Sequence, residues 1–97
     1  MAEYQLRVYD VKPGKMEEFV RVFEPIPEIR RRHGFTVEGV WVDDESNRFA
    51  WVVGYDGPGT FAEAAARFDS DPERKDMSPP PGSFLDHVDI RMVRRIG

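Results

Sequence analysis

The chain contains no cysteine and no long uninterrupted apolar run. The absence of cysteine excludes disulfide bonds and thiolate chemistry, so neither can stabilise the fold or carry a reaction. A membrane-spanning helix needs about 20 mostly apolar residues, so we expect no membrane partner. The first residues lead directly into a strand-like alternation, which is not the pattern of a secretory signal. We therefore expect a cytoplasmic location.

Excess positive charge is also missing. The formal net charge is -4, whereas nucleic-acid-binding domains usually present a basic surface. The one basic cluster is Arg30-Arg31-Arg32-His33, directly before Gly34. Cations are favoured in the last turn of a helix and glycine commonly follows one, so this cluster indicates a helix end. We expect no nucleic-acid partner.

Several motifs that carry chemistry are absent as well. The chain has no HExxH, GxSxG, P-loop or GxGxxG segment, so zinc proteolysis, serine hydrolysis, phosphate cradling and dinucleotide binding have no support. Asp69 to Glu73 is similar to the start of a calcium loop but lacks the glycine and the closing glutamate that such a loop needs. His87 and Asp89 supply too few ligands for a metal. We expect neither a metal nor a cofactor.

The elements that the sequence does contain follow the order β-α-β-β-α-β. Alternation and β-rich composition predict strands, and spacings of three and four predict helices. The predicted strands are Glu3 to Val11, Phe35 to Asp43, Arg48 to Tyr55 and Asp86 to Arg94, and the helices are Met16 to Ile29 and Thr60 to Asp69. Pro25 and Pro27 predict a break in the first helix, and Thr60 with Glu63 predicts a capping box in the second.

This order predicts an α+β, ferredoxin-like sandwich in a single domain, residues 1–97. Two helices would cover one face of a four-stranded antiparallel sheet, and the other face would be free. Alternation assigns the helix side to Leu6, Val8, Val40, Val42, Ala50, Val52, Val88, Ile90 and Met92. It assigns the free side to Gln5, Arg7, Tyr9, Val37, Gly39, Trp41, Phe49, Trp51, Val53, Tyr55, His87, Asp89 and Arg91. Because this free face is so apolar, it predicts a partner, and a face-to-face dimer would bury it.

Three segments carry a resemblance to a known family. They are "YQLRVYDVKPGKMEEFVRVFE", "RRHGFTVEGVWV" with Trp41 near its end, and the Asp-Pro-Glu at 71–73. The chain resembles the NIPSNAP family of the dimeric α/β-barrel superfamily. The resemblance implies a homodimer of ferredoxin-like subunits, with a pocket between each sheet and its helices or partner. The superfamily includes cofactor-free monooxygenases, haem-degrading enzymes, polyketide cyclases and stress proteins, so the resemblance implies no single activity.

The predicted free face contains the candidate catalytic residues. Histidine is the side chain type whose unperturbed pKa lies near neutrality, so His87 is the candidate base, with Asp89 two residues along to orient it. Arg7 or Arg91 would stabilise an oxyanion or hold a carboxylate. The alternative is that these residues form a structural salt-bridge network at a dimer interface.

Aromatic residues on the same predicted face are the candidate substrate contacts. Flat rings with polar tips suit an apolar or aromatic ligand, and the same rings equally suit core and interface packing. These candidates are Tyr9, Trp41, Phe49, Trp51 and Tyr55. The hypothesis is a homodimer that binds a small apolar or aromatic molecule in a sheet-face pocket, as a cofactor-free oxygenase, cyclase or isomerase. The alternative is a non-catalytic ligand-binding or dimeric assembly module.

Overall fold

The structure is a computed structural model that describes residues 2–97. Its strands are β1 (Glu3–Val11), β2 (Phe35–Asp43), β3 (Arg48–Tyr55) and β4 (Leu85–Val93), and its helices are α1 (Met16–Phe23), α2 (Ile26–Arg32), α3 (Phe61–Ser70) and α4 (Pro72–Lys75), with a 3-10 turn at Pro81–Phe84. The sheet order is β2-β3-β1-β4 and all neighbours are antiparallel. The predicted ferredoxin-like α+β fold is confirmed, with an open sheet. Among the described residues, no helix is long and apolar enough to cross a membrane.

The helix ends follow the predicted local chemistry. The first helical segment breaks between Glu24 and Ile26, and Pro27 lies in the first turn of α2, where its missing N–H is not needed. At the start of α3, the Glu63 N–H donates to Thr60 Oγ1 at 3.1 Å and the Thr60 N–H donates to Glu63 Oε1 at 2.8 Å. The predicted break and the predicted capping box are both present.

The core lies between the sheet and the helices and is largely aromatic. Its strand members include Tyr9, Phe35, Phe49, Trp51, Val53 and Tyr55, and its helix members are Phe19, Phe23, Ile26, Ile29, Phe61, Ala64 and Phe68. The predicted faces of β1 and β3 are therefore wrong. The helix-covered face carries Gln5, Arg7, Tyr9, Phe49, Trp51, Val53 and Tyr55, and the free face carries Leu6, Val8, Ala50 and Val52.

The reason for this inversion lies in the composition of the two strands. Both alternating sets of β3 are largely apolar, and in β1 the set with Gln5 and Arg7 also contains the aromatic Tyr9, so alternation separates the sets but does not show which one is covered. A buried aromatic side chain removes about 150–250 Å² from water, more than an alanine or a valine can. The helices therefore cover the set that contains Tyr9, Phe49 and Trp51.

The outer strands agree better with the predicted faces. A register shift between Val37 and Gly39 places Val37 on the helix side, which corrects its prediction. Beyond the shift, Gly39 and Trp41 lie on the free face, and Val40 and Val42 on the helix side, as predicted. In β4, pairing with β1 also confirms the predicted faces: His87, Asp89 and Arg91 are on the free face, and Val88, Ile90 and Met92 on the helix side.

Candidate functional site

A cavity of about 170 Å³ lies between the helices and the helix-covered face of the sheet. The 3-10 turn at Pro81 and Gly82 and the β4 side chains Leu85 and Val88 form one edge of it. A cavity of about 150 Å³ is known to hold a benzene molecule. The space therefore fits a ligand with one ring or an apolar body of similar size.

Aromatic rings from the sheet and the helices form the walls of this cavity. Phe23 meets Trp51 edge to face, with ring centroids 4.8 Å apart at 86°, and Phe19 meets Tyr9 at 5.9 Å and 89°. Phe68 adds a wall from α3. Edge-to-face pairs fix both rings, so these walls are rigid surfaces on which a flat ligand can pack.

Tyr9 presents a polar group to the cavity. Arg7 Nε donates a hydrogen bond to the Tyr9 hydroxyl oxygen at 2.6 Å, and Trp51 Nε1 donates to the same oxygen at 2.9 Å. A phenol oxygen has two acceptor sites and one hydrogen to donate. Because both acceptor sites are used, the hydroxyl hydrogen is the group that Tyr9 can offer to a ligand.

Arg30 is the one buried charged residue among the described residues, with 3% of its surface exposed. It lies on the apolar stripe of α2, four residues after Ile26 and next to Ile29, so the helix directs it inward with them. Its guanidinium carbon lies 4.0 Å from the centroid of the Phe68 ring and 5.4 Å from that of Trp51. Its Nε and Nη1 atoms are buried and have no hydrogen-bond partner.

Burial makes the charge of Arg30 costly. Burial first, and then the nearby Arg7 cation, lowers the pKa of Arg30 from its ordinary value to about 10. At neutral pH the side chain is still protonated, so the cavity wall contains a positive charge with unsatisfied donors. Stacking on an aromatic ring offsets about 0.5–2 kcal/mol, whereas the effective desolvation penalty of a buried ion is several kcal/mol, roughly twice that or more.

Arg74 brings a third guanidinium to the same cavity. It lies on the short helix α4. Asp71 caps α4, and its Oδ2 atom lies 2.7 Å from Nε2 of His33, the residue that ends α2. Asp71 therefore links α4 to the end of α2. Arg74 Nε is buried and has no partner, and its guanidinium lies 5.7 Å from the Phe68 ring. None of the salt bridges among the described residues involves Arg7, Arg30 or Arg74.

The predicted basic cluster therefore divides in two. Arg31 and Arg32 stay at the surface, where Arg31 pairs with Glu28 at 3.5 Å and Arg32 with Glu73 at 3.1 Å. Only Arg30 turns inward, and sequence reasoning missed it by treating the cluster as one helix end. The signal was its position on the same apolar stripe as Ile26 and Ile29.

The structure separates the candidate catalytic residues of the sequence. Arg7 faces the cavity, whereas His87, Asp89 and Arg91 point away from it on the free face, so the sheet lies between the two groups. Arg7 makes no ion pair with Asp89; instead Arg91 Nε donates to Asp89 Oδ1 at 3.0 Å. These four residues do not form one site within the chain.

The candidate aromatic contacts divide in the same way. Tyr9 and Trp51 line the cavity, and Phe49 stacks behind Tyr9 with centroids 6.0 Å apart. Tyr55 is buried elsewhere in the core, where its hydroxyl donates to the Pro58 carbonyl at 2.6 Å. Trp41 lies on the free face and is 56% exposed.

The free face has a shallow depression of its own. Val8, Asp10, Arg48, His87 and Asp89 surround it. Arg48 Nε donates to Asp10 Oδ1 at 2.9 Å, so two of these charges already satisfy each other. Among residues 2–97, no three histidine, aspartate or glutamate side chains come together as a possible metal site.

These features define a ferredoxin-like chain with an arginine-lined cavity beneath its helices. The family model for NIPSNAP matches residues 4–96. Because the match spans nearly the whole sequence, the chain belongs to the NIPSNAP family. A comparison with curated proteins finds no match.

Solved structures share the fold at low sequence identity. A NIPSNAP domain protein from Burkholderia xenovorans is 21% identical with a TM-score of 0.82, over 99% of this chain and 95% of that chain. A NIPSNAP family protein from Agrobacterium tumefaciens is 17% identical with a TM-score of 0.84, over 99% and 94%. A Nitrosomonas europaea protein, assigned provisionally to the antibiotic biosynthesis monooxygenases, is 14% identical with a TM-score of 0.75, over 95% and 88%.

Proposed function

We propose that this chain binds a small molecule with a ring-sized apolar body in the cavity between its helices and its sheet. The supporting observation is the cavity itself, about 170 Å³ within an aromatic core. Protein interiors are close-packed and hold few voids larger than a water molecule, because an unfilled void loses packing contacts. A mostly apolar space with a few hydrogen-bond donors in its wall is the usual form of a ligand site.

The side chains that line the cavity are suited to binding and polarising a ligand, and they are less suited to removing a proton from it. It contains the Tyr9 hydroxyl and guanidinium groups but no histidine, aspartate or glutamate side chain. Such donors stabilise an oxyanion that a ligand already carries or develops. Cofactor-free oxygenation, cyclisation or isomerisation is therefore a secondary proposal, in which the proton acceptor comes from the ligand or from outside the cavity.

We propose further that the chain acts as a homodimer joined through the free face of the sheet. Apolar side chains cover that face: Leu6, Val8, Trp41, Ala50, Val52 and Val93. An apolar surface of this kind usually marks an interface. The ion pairs Asp10 with Arg48 and Asp89 with Arg91 lie on the same face. In the dimer, His87 and Asp89 would be interface residues, and the cavity would open on the other side of each sheet.

A fluorescence titration tests the binding proposal. The chain has two tryptophans, so Trp41→Phe leaves Trp51, a wall of the cavity, as the single reporter. Benzamide is the probe, because it is neutral and has one ring. We expect saturable quenching with a Kd of about a millimolar or below, which suits a ligand of this size.

Two substitutions in β4, each made in the Trp41→Phe background, test whether the probe binds in the cavity. Val88→Phe places a phenyl ring at the cavity edge, whereas Ile90→Phe places the same ring at the next helix-side position of β4, away from the cavity. We expect Val88→Phe to weaken benzamide binding about tenfold or more and Ile90→Phe to leave it unchanged, since overfilling a cavity excludes a ligand. No quenching, or equal quenching in both variants, would overturn the proposal.

A further inference from the structure

The polar side chains that line the cavity are all hydrogen-bond donors. They are Arg7, Tyr9, Arg30, Trp51 and Arg74, and none of the lining side chains is a carboxylate or an amide. The two internal bonds, from Arg7 and Trp51 to the Tyr9 oxygen, use the one acceptor among them. A ligand that satisfies this lining must therefore bring acceptors.

The lining also carries a concentrated positive charge in a chain whose net charge is -4. Three guanidinium groups border the cavity, and the salt bridges of the described residues leave all three without a carboxylate partner. Like charges repel one another: Arg7 and, to a smaller extent, Arg74 disfavour the charged form of Arg30, while Tyr9 and the Asp69 carboxylate favour it. An anion among them would reverse this repulsion.

Aromatic stacking does not satisfy Arg30 by itself. The Phe68 and Phe35 rings lie 4.0 and 4.8 Å from the guanidinium carbon, measured to their centroids. Stacking engages the face of the guanidinium, whereas its N–H groups point outward in its plane. Arg30 Nε and Nη1 consequently remain buried without partners, on a side chain that lines the cavity.

The size and the walls of the cavity select the anion. Its volume of about 170 Å³ is too small for a nucleotide, and its mostly apolar lining suits a body that a bare inorganic ion lacks. We propose that the ligand is a small carboxylate with a single ring or an apolar body of that size. Its carboxylate would accept hydrogen bonds from Arg30 and Tyr9, and its body would pack against the joined Phe23 and Trp51 rings that line the cavity. This inference rests on the proposed binding function and adds the charge of the ligand.

Isothermal titration with benzoate and benzamide tests this charge directly, because the two probes share a ring and differ in charge. We expect the wild-type chain to bind benzoate at least tenfold more tightly than benzamide, as charge-assisted hydrogen bonds in a buried site are worth about ten- to a hundredfold in affinity. Inorganic phosphate serves as the third probe, and we expect it to bind at least about tenfold more weakly than benzoate.

Matched variants locate the anion. Arg30→Gln should reduce benzoate binding about tenfold or more and benzamide binding less than about threefold. Arg32→Gln removes a charge from the same helix at the surface and should change neither. Arg74→Gln, on an exposed short helix, repeats the test if Arg30→Gln fails to fold, as circular dichroism would show, and should also weaken benzoate selectively.

The outcomes separate the inference from the function on which it rests. Equal binding of benzoate and benzamide would overturn the inference and leave the proposed cavity function standing. Phosphate binding as tight as benzoate would also overturn it, since the site would then be an anion site without a place for an apolar body. Binding of neither ring would contradict both proposals.

Discussion

Replacing Arg30 with methionine should stabilise the protein while removing the anion contact. Methionine keeps an unbranched stem of similar reach but has no charge to desolvate. The fold lowers the pKa of Arg30 to about 10, roughly two to three units below its ordinary value, and at about 1.4 kcal/mol for each pH unit this fall corresponds to about 3–4 kcal/mol of unfavourable free energy. The lost stacking on Phe68 and its neighbours offsets about 1–2 kcal/mol of that gain. We expect a net stabilisation of about 1–3 kcal/mol, within the range found when buried ions are replaced by apolar residues, roughly 1–4 kcal/mol.

The assay is urea unfolding at pH 7, followed by circular dichroism at one fixed protein concentration, because the stability of a dimer depends on concentration. The pH is chosen from the direction of the pKa change. Because the folded-state pKa is the lower one, the burial cost is fully present below about pH 10 and is relieved as the pH rises from there towards the ordinary pKa of arginine. A thermal melt should rise by about 5 °C or more for a domain of this size.

Arg32→Met is the matched control for this experiment. Arg32 and its partner Glu73 are exposed, and its other partner, Asp71, keeps hydrogen bonds to His33 and to the Glu73 N–H, so the substitution should change stability by less than about 1 kcal/mol. A loss of more than about 1 kcal/mol in Arg30→Met would mean that the Arg30 donors are satisfied within the fold. That result would refute the reasoning from an unpaired buried charge.

The remaining predictions concern the dimer, a helix end and acid stability. Leu6→Glu on the free face should convert a dimer to a monomer in light scattering, whereas Val42→Glu on the helix side should not; a dimer in both would contradict the proposed interface. Gly34→Ala should lower the free energy of unfolding in urea by about 1–2 kcal/mol, and by more than Gly14→Ala does. Both glycines have a positive φ, but of the two only Gly34 has the Tyr55 ring 3.2 Å from an added Cβ. Equal losses in the two variants would show that the Tyr55 ring moves aside without cost. A hydrogen bond from His33 holds the pKa of Asp71 below its usual 3.8. The wild-type protein should therefore be more stable to unfolding than Asp71→Asn above that pH, and the difference should shrink as acid protonates the carboxylate. A stability difference that does not change with pH would contradict this prediction.

Local sequence signals predicted the fold well, because each signal acts within a few residues. Pro25 and Pro27 lack the N–H that a continuous helix needs, so the break between α1 and α2 follows from covalent structure. The Thr60 and Glu63 capping box requires only a spacing of three residues. Given the order of strands and helices, the ferredoxin-like arrangement is the simplest topology that packs both helical segments against one sheet.

The faces of β1 and β3 could not be read in the same way. Alternation separates Leu6 and Val8 from Arg7 and Tyr9, but the helices decide which set is covered, and that decision is tertiary. The charge of Arg7 also favours a free face, beside His87. Arg7 nevertheless lies beneath the helices, where it donates a hydrogen bond to Tyr9. The cavity itself arises from helix packing, which strand patterns do not describe.

A crystal structure of the protein grown with 4-bromobenzoate tests the central claim most directly, because the anomalous signal of bromine locates the ring without prior assumptions. The account predicts a bromine peak inside the cavity beside Phe23 and Trp51, with the carboxylate within about 3 Å of Arg30 nitrogen atoms. A peak on the free face beside His87, or a carboxylate directed away from Arg30, would contradict it.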